Sequence, residues 1–186
     1  MKRVDAMRAL LRAMSDRVAV CYAGAACEEL YAAGDDARVV YVLGSMGLAS
    51  SVGLGMALGS GKPVVAMEGD ASVLMNLGTL VTIAQHAPSD YVLAIVDNTQ
   101  NGSTGGQPTA TANGLDLAAL ARAAGCPRVI VCTTEDEIAA AAREAASGGG
   151  PTVLHLRVAP GDGPRRVVDL DPTAIRDRAR SYLAAR

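Results

Sequence analysis

The fold is decided by one stretch, residues 64–98, with the sequence VVAMEGDASVLMNLGTLVTIAQHAPSDYVLAIVDN. Two short apolar runs, VVAM (64–67) and YVLAIV (91–96), flank a helical pattern over 73–86. Nearly continuous apolar runs are typical of strands that are buried on both faces of a parallel sheet. The stretch is therefore predicted to form one β–α–β unit.

The same alternation extends along the rest of the chain. Further strands are predicted at 18–22, 39–43, 128–132 and 152–158. Further helices are predicted over the charged N-terminal segment, at 25–33, 47–59, 115–124 and 135–147, and from about Pro172. The pattern predicts an α/β fold, with about six strands in a doubly wound parallel sheet and helices on both faces. We expect residues 1–186 to form a single domain.

Composition and charge exclude several classes of protein. A net charge of −2 without a basic block argues against nucleic acid as a partner. No uncharged apolar run is long enough to span a membrane, and the charged N-terminal segment does not fit a signal peptide. The cysteines lack a C-x-x-C pair, which favours reduced thiols in a cytoplasmic protein. Neither a P-loop nor a G-x-G-x-x-G after a strand is present, so a generic nucleotide-binding module is not supported.

Polar residues follow the two strands of the opening stretch. Gly69 and Asp70 follow the first strand, and Asn98 follows the second. Because neighbouring parallel strands end at one edge of the sheet, we expect these residues to meet there. A carboxylate and an amide oxygen suit Mg²⁺, and the free N–H groups of the next helix suit phosphate oxygens. Gly-Asp and Asp-Asn are also ordinary turn and cap residues, so from these residues alone both interpretations stay open.

The segments around these residues resemble a known family. The pattern GDAS followed by DN, with 25 residues between Ala71 and Asp97, resembles the GDG…NN fingerprint of thiamine diphosphate enzymes. LGSMGLASSVGLGMAL, GDASVLMNLGTL and DNTQNGSTGGQPT are similar to the β subunits of sulfopyruvate decarboxylases and to the C-terminal part of phosphonopyruvate decarboxylases. The resemblance covers nearly the whole chain. It departs from the fingerprint at Ala71, where the family has glycine, and at Asp97, where it has asparagine.

The resemblance assigns metal and diphosphate ligands by position. It implies that the side chains of Asp70 and Asn98 and the backbone carbonyl of Gln100 bind Mg²⁺. The backbone amides of Ala71 and Ser72, the Ser72 hydroxyl and the turn at Gly69 would hold the diphosphate of thiamine diphosphate.

Two further loops receive roles from the same resemblance. In the loop Gly44-Ser45-Met46-Gly47, the Gly44 carbonyl would bind the amino group of the aminopyrimidine. Met46 would be an apolar wedge beneath the cofactor, with simple core packing as the alternative.

The glycine-rich loop after Asn98 is assigned to the substrate. Gly102 would bind near the cofactor and, with the other loop glycines, allow a tight backbone and loop closure. Ser103 and Thr104 would orient the substrate or its oxyanion. The alternative is a loop that serves only subunit contact.

The family holds its cofactor between two domains, and the resemblance implies that only one of them is present here. The pyrimidine-binding domain normally supplies a glutamate, and this chain has six poor candidates: Glu28, Glu29, Glu68, Glu135, Glu137 and Glu144. We therefore expect a separate α subunit that carries the pyrimidine-binding domain and its glutamate, in an α₂β₂ or larger assembly.

The implied reaction is the decarboxylation of a small anionic 2-oxo acid to an aldehyde and CO₂. Sulfopyruvate, which would give sulfoacetaldehyde, is favoured on the GSTGGQPT segment, with phosphonopyruvate as the alternative. A 2-oxoacid:ferredoxin oxidoreductase β subunit shares this domain type, but iron–sulfur cysteines are missing. A catalytically degenerate subunit that serves binding or assembly is the non-enzymatic alternative.

Overall fold

A computed structural model describes residues 1–184 and shows a parallel sheet of six strands. The strands lie in the order β2-β1-β3-β4-β8-β7. A separate two-stranded antiparallel hairpin, β5 and β6, follows the end of β4. The strands are β1 Val18–Cys21, β2 Val39–Tyr41, β3 Val64–Gly69, β4 Tyr91–Asp97, β5 Gln100–Asn101, β6 Gln107–Pro108, β7 Arg128–Cys132 and β8 Thr152–Arg157. The predicted parallel α/β sheet is confirmed.

Helices alternate with the strands along the chain. They are α1 Arg3–Ala13, α2 Ala25–Ala32, α3 Ala49–Ser60, α4 Asp70–Met75, α5 Gly78–His86, α6 Leu117–Ala123, α7 Glu135–Ala146 and α8 Pro172–Ala184. No helix within residues 1–184 combines the length and the apolar character that a membrane span needs.

The core is centred on β3 and β4, in which every residue is buried. Small residues let α3 approach these strands closely. A Cβ on Gly53 would lie 2.8 Å from the Cβ of Ala66 and 3.3 Å from the Tyr91 ring. The Tyr91 hydroxyl donates to the Ser50 carbonyl at 2.7 Å, which satisfies the one polar atom of this buried ring. The packing fixes the loop before α3 against the carboxyl ends of the strands.

The helix predicted over 73–86 is wrong at its start and in its middle. The helical region begins at Asp70 and breaks after Met75, so that α4 and α5 are separate helices. At the break, the Asn76 amide donates to the Gly47 carbonyl at 3.0 Å and to the Ser51 hydroxyl at 3.0 Å. These partners are distant in the chain, and hydrophobic periodicity carries no information about them. The break ties α4 to the loop before α3.

Candidate functional site

A cleft lies beyond the carboxyl ends of β3 and β4. The structure brings most of the predicted site residues together in its lining: Met46, Gly69, Asp70, Ala71, Ser72, Asn98, Gln100, Gly102 and Ser103. Gly44, Ser45 and Thr104 are not among the lining residues. The Thr104 hydroxyl instead bonds Gln107 Oε1 at 2.7 Å, within its own loop. The predicted meeting of the two strand ends is confirmed.

Asp70 is the first residue of α4 and is buried. Its Oδ2 oxygen accepts a hydrogen bond from the Thr109 hydroxyl at 2.5 Å, and the Thr111 hydroxyl oxygen lies 3.1 Å from the same oxygen. Its Oδ1 oxygen takes part in neither bond. Burial raises the pKa of Asp70, the two threonines oppose that shift, and the nearby charge of Asp97 adds to it. The carboxylate is thus held in place at an energetic cost that a bound cation would offset.

Asp97 ends β4 and forms a buried pair with His155 of β8. His155 Nε2 lies 2.8 Å from Asp97 Oδ2. The other oxygen, Oδ1, accepts from the Thr111 hydroxyl at 2.8 Å and the Thr99 backbone N–H at 3.0 Å. Burial alone would raise the pKa of Asp97, but these hydrogen bonds lower it overall. The negative charge that departs from the family fingerprint therefore has three partners.

Asn98 is buried between the Gln100 carbonyl and the Arg3 guanidinium. In one orientation of the Asn98 amide, its nitrogen donates to the Gln100 carbonyl oxygen at 2.9 Å and its oxygen accepts from Arg3 Nη1 at 3.1 Å. With the amide turned over, the Asn98 and Gln100 oxygens face each other without a proton between them. Two such oxygens can share a cation, so the geometry fits either a free or a cation-bound Asn98.

Arg3, from the first turn of α1, is a cleft residue that the sequence analysis missed. Its Nε and Nη2 donate to the Glu29 carboxylate at 3.0 and 2.6 Å, and Nη2 also donates to Asp162 at 2.6 Å. Burial alone would lower the pKa of Arg3, but the two carboxylates raise it overall. Arg3 is therefore a paired cation that joins α1, α2 and the loop after β8 beside Asn98.

Ser72 belongs to a buried network that holds the loop before α3. Its hydroxyl donates to Glu68 Oε1 at 2.6 Å and accepts from the Gly47 N–H at 2.8 Å. Glu68 Oε2 in turn accepts from the Ser50 N–H at 3.0 Å. Burial raises the pKa of Glu68, and the Ser72 and Ser50 hydrogen bonds oppose that shift. Because the single hydroxyl hydrogen of Ser72 goes to Glu68, only its backbone N–H is left as a donor to a ligand.

The loop before α3 carries backbone strain. Ser45 has a φ of 59°, which is uncommon for a residue with a side chain. Met46 follows with its side chain partly exposed in the cleft lining, so it is not a core residue. Such strain is common at ligand sites, where the surrounding structure holds it in place.

Two different structural requirements, positive φ and space for a neighbouring side chain, explain the glycines of the loop after Asn98. Gly105 and Gly106 have φ values of 114° and 77°, which favour glycine. Gly102 is different, because a Cβ there would lie 2.4 Å from Asp162 Oδ1. Gly102 therefore makes room for the carboxylate that pairs with Arg3.

Comparison with known proteins identifies the family of this chain. Residues 21–156 match the family model described as "Thiamine pyrophosphate enzyme, C-terminal TPP binding domain". The chain belongs to the thiamine pyrophosphate enzyme family. All residues that line the cleft lie within the matched domain, apart from Arg3.

Relatives within the thiamine pyrophosphate enzyme family are decarboxylases by name. The chain is 39% identical over 184 residues to a phosphonopyruvate decarboxylase of Streptomyces viridochromogenes, with 97% of this chain and 46% of the relative covered. It is 37% identical over 178 residues to a sulfopyruvate decarboxylase subunit beta of Methanothermobacter thermautotrophicus, with 96% and 93% covered. The chain thus spans about half the length of the first relative and nearly all of the second.

A solved structure of a thiamine diphosphate-dependent enzyme has the same fold. The 4-hydroxybenzoylformate decarboxylase of Rhodococcus jostii RHA1 superposes with a TM-score of 0.74 at 20% identity, over 88% of this chain and 33% of that one.

Two departures from the thiamine pyrophosphate fingerprint are explained by the structure. Ala71 lies inside α4 and is not among the residues with positive φ, so its Cβ introduces no strain. Asp97 is hydrogen-bonded to His155 Nε2 at 2.8 Å, so the carboxylate that stands in place of the family asparagine has a buried side-chain partner. Gly69, which matches the fingerprint, is required because a Cβ there would lie 2.9 Å from the Tyr22 ring.

Several residues around the cleft were not found from the sequence as members of the site. They are Arg3, Glu68, Thr109, Thr111 and His155. Each reaches the site through a side-chain contact with a residue that is distant in the chain, except the short contact from Glu68 to Ser72. Thr109 is the last residue of the quoted GSTGGQPT segment and Thr111 lies two positions beyond it, so proximity to a motif is the available signal.

Proposed function

We propose that this chain binds Mg²⁺ and the diphosphate of thiamine diphosphate, as one half of a 2-oxo acid decarboxylase. The observation that carries the proposal is the shared cleft of Asp70, Asn98 and Gln100 at the start of α4. The same arrangement also fits the family to which the chain belongs.

The donor set fits Mg²⁺. The proposed ligands are Asp70 Oδ1, the Asn98 side-chain oxygen and the Gln100 carbonyl oxygen, all of them hard oxygens. Residues 1–184 contain no group of three His, Cys, Asp or Glu side chains that could hold a metal by themselves. A site with one carboxylate agrees with the habit of Mg²⁺, which completes its octahedral shell with water and substrate phosphates.

The diphosphate would bind at the start of α4. The N-cap residue of this helix is Gly69, which has no side chain to occupy the first backbone N–H groups. The amides of Ala71 and Ser72 line the cleft and would donate to phosphate oxygens. The positive end of the helix and the metal would then act on the same anion.

The remaining predicted residues receive proposed roles around the bound group. The cofactor supplies the chemistry that releases CO₂ from a 2-oxo acid. Met46 would support it from below, and the Gly44 carbonyl would accept a hydrogen bond from its amino group. Ser103, next to Gly102 in the cleft lining, would orient the substrate. Thr104 would act through the loop, because its hydroxyl already binds Gln107.

A separate α subunit with the pyrimidine-binding domain and its glutamate would complete the site. Exposed apolar side chains occur in the loop before α3, in α3, in α4 and α5, and between those two helices: Leu43, Met46, Leu48, Val52, Met75, Leu77 and Val81. The loop before α3, α3 and the α4–α5 junction, which carry them, are joined through Asn76 and through the Ser51–Thr79 contact at 2.9 Å. Apolar patches of this kind mark protein contact surfaces. We propose an α₂β₂ or larger assembly.

The proposed substrate is a pyruvate with an anionic group on carbon 3. Sulfopyruvate, giving sulfoacetaldehyde, is favoured, and phosphonopyruvate, giving phosphonoacetaldehyde, is the alternative. The named relatives include decarboxylases of both compounds.

The proposal is tested on the chain purified together with its pyrimidine-binding partner. Calorimetric titration with thiamine diphosphate and Mg²⁺ should show binding, and CO₂ release should be faster from one of the two substrates. Absence of cofactor binding would indicate a degenerate subunit and overturn the proposal. Binding without activity on either compound would overturn only the substrate assignment.

The proposed contact surface has its own test. Met75 is 66% exposed, so Met75→Glu should separate the subunits without unfolding the chain. Val167→Glu is the matched control, because Val167 is 71% exposed but lies outside this surface. Equal loss of association in both variants would contradict the assignment of the surface.

A further inference from the structure

We infer that His155 is a positioning residue of the metal site, which acts through Asp97 on both strand ends that carry the metal ligands. The inference rests on the proposed function, because it concerns how the proposed ligands Asp70, Asn98 and Gln100 are held. His155 itself lies outside the cleft lining.

Within residues 1–184, the ring of His155 has a single hydrogen-bond partner, and its burial keeps water from replacing that partner. The side chain is 1% exposed in the middle of β8. His155 is paired in register with Ile95, so its side chain lies on the face of the sheet to which Asp97 also points. Its Nε2 lies 2.8 Å from Asp97 Oδ2, and its Nδ1 has no hydrogen-bond partner within residues 1–184. The ring proton therefore belongs on Nε2 and is donated to the carboxylate.

Asp97, held by His155, in turn contacts the backbone next to Asn98. Its Oδ1 accepts from the Thr99 N–H at 3.0 Å. Thr99 has a φ of 59°, a left-handed conformation that is strained for a β-branched residue. The strained turn stands between Asn98 and Gln100, so it sets the relative direction of the two proposed ligand oxygens. The hydrogen bond from Thr99 to Asp97 supports this turn.

Asp97 Oδ1 is also linked, through Thr111, to Asp70 at the end of the neighbouring strand. Asp97 Oδ1 also accepts from the Thr111 hydroxyl at 2.8 Å, and that hydroxyl lies 3.1 Å from Asp70 Oδ2. The hydroxyl of Thr109, which donates to Asp70, lies 2.9 Å from the Thr111 hydroxyl. Asp97 is thus the point at which the supports of both ligand-bearing segments meet.

The chemistry explains why an aspartate stands at position 97. Three donors converge on its side chain, and a carboxylate accepts on both oxygens. An asparagine has one acceptor oxygen, and its NH₂ group would face the N–H of His155. Asp97 and His155 are therefore a matched pair, in which changing one partner alone leaves a buried polar group unsatisfied.

The test measures metal affinity, with Mn²⁺ as the probe, in the complex loaded with thiamine diphosphate. His155→Leu keeps the volume but removes the donor, and we expect Mn²⁺ to bind about 10–100-fold more weakly, the usual effect of removing a residue that supports a metal ligand. His155→Gln can still donate from a nitrogen near the Nε2 position and should recover most of the affinity. His86→Leu is the control, because His86 is exposed at the end of α5.

A further variant keeps the test decisive if His155→Leu does not fold. Thr111→Val removes the hydroxyl between Asp97 and Asp70 at a half-buried position, and it should also weaken Mn²⁺ binding. Unchanged Mn²⁺ affinity in a folded His155→Leu or Thr111→Val variant would overturn the inference.

Asp70→Asn separates the inference from the proposed function. If Asp70→Asn binds Mn²⁺ as well as the wild type does, the metal assignment itself fails. If Asp70→Asn loses Mn²⁺ while His155→Leu retains it, the metal assignment holds and only the role of His155 fails.

Discussion

Two helices of this molecule begin in opposite ways. α7 begins after Thr134, whose hydroxyl accepts from the Glu137 N–H at 3.2 Å while Glu137 Oε2 accepts from the Thr134 N–H at 3.2 Å. This reciprocal capping box satisfies the helix start from within. α4 begins after Gly69, which cannot cap it with a side chain. The start of α7 is capped by its own residues, whereas no side chain caps the start of α4.

The residues that define the two starts lie at different distances in the sequence. Every contact of the α7 cap joins residues within four positions of each other. The first residues of α4 are held by Gly47, Thr109 and Thr111, which lie 25 to 41 positions away. We expect the capping box to stabilise α7, and the distant contacts at the start of α4 to position the side chains of Asp70 and Ser72. The comparison predicts that variants at α4 change binding most and variants at α7 change only stability.

The largest effect is expected for Asp70→Asn. The asparagine keeps an acceptor for Thr109 and Thr111 but removes the charge that Mg²⁺ needs, so metal affinity should fall by at least about 100-fold. Because burial raises the pKa of Asp70, the ligand-free variant should unfold at or above the wild-type temperature. Calorimetry measures the metal affinity, and thermal melting measures the unfolding temperature. A variant that loses both metal and stability would show that Asp70 is primarily structural.

Ser72→Ala should affect both stability and binding. It leaves the Gly47 N–H without its acceptor and Glu68 without one of its donors, both in a buried setting. We expect a loss of about 2–3 kcal/mol in the free energy of unfolding, measured by urea denaturation. Ser89→Ala is the control, since Ser89 is exposed and its hydroxyl lies 3.4 Å from the carboxylate of the neighbouring Asp90. Equal stability of the two variants would contradict the proposed network.

Thr134→Ala tests the capped start of α7. Loss of this cap should lower the free energy of unfolding by about 1 kcal/mol. Affinity for thiamine diphosphate should stay at the wild-type value, because α7 does not line the cleft. A clear fall in cofactor affinity would show that the two helix starts are coupled.

The smallest effect is expected for Ala71→Gly, which restores the fingerprint residue. Because Ala71 lies inside α4, glycine should destabilise the chain by about 0.5–1 kcal/mol and give no gain in cofactor affinity. Urea denaturation and calorimetry measure the two quantities. Tighter cofactor binding in the variant would mean that the Ala71 side chain obstructs the ligand.

The sequence was sufficient where local rules decide the structure. The six strands of the sheet were predicted within two residues or fewer at each end, and α7 was predicted at 135–147 against the observed Glu135–Ala146. Apolar runs and the acidic first turn of α7 carry this information within a few positions. The motif residues Asp70 and Asn98 were placed at one edge of the sheet because parallel strands end together.

The sequence was insufficient where distant side chains decide the structure. The start of α4 at Asp70 and the break at Asn76 depend on contacts with the loop before α3. The role of Arg3 depends on Glu29 and Asp162, which only the folded chain brings together. Hydrophobic periodicity and single motifs do not report such pairs, so these side-chain contacts around the cleft could not be predicted from the sequence.

The Arg3 cluster links the first residues of the chain to the proposed metal site. Glu29 is buried with Arg3 as its cation, and the Met1 carbonyl accepts from the Ala159 N–H at 2.8 Å. Deleting the first three residues would remove Arg3 and leave the buried Glu29 without its cation. Breaking a buried ion pair on one side lowers the free energy of unfolding by several kcal/mol.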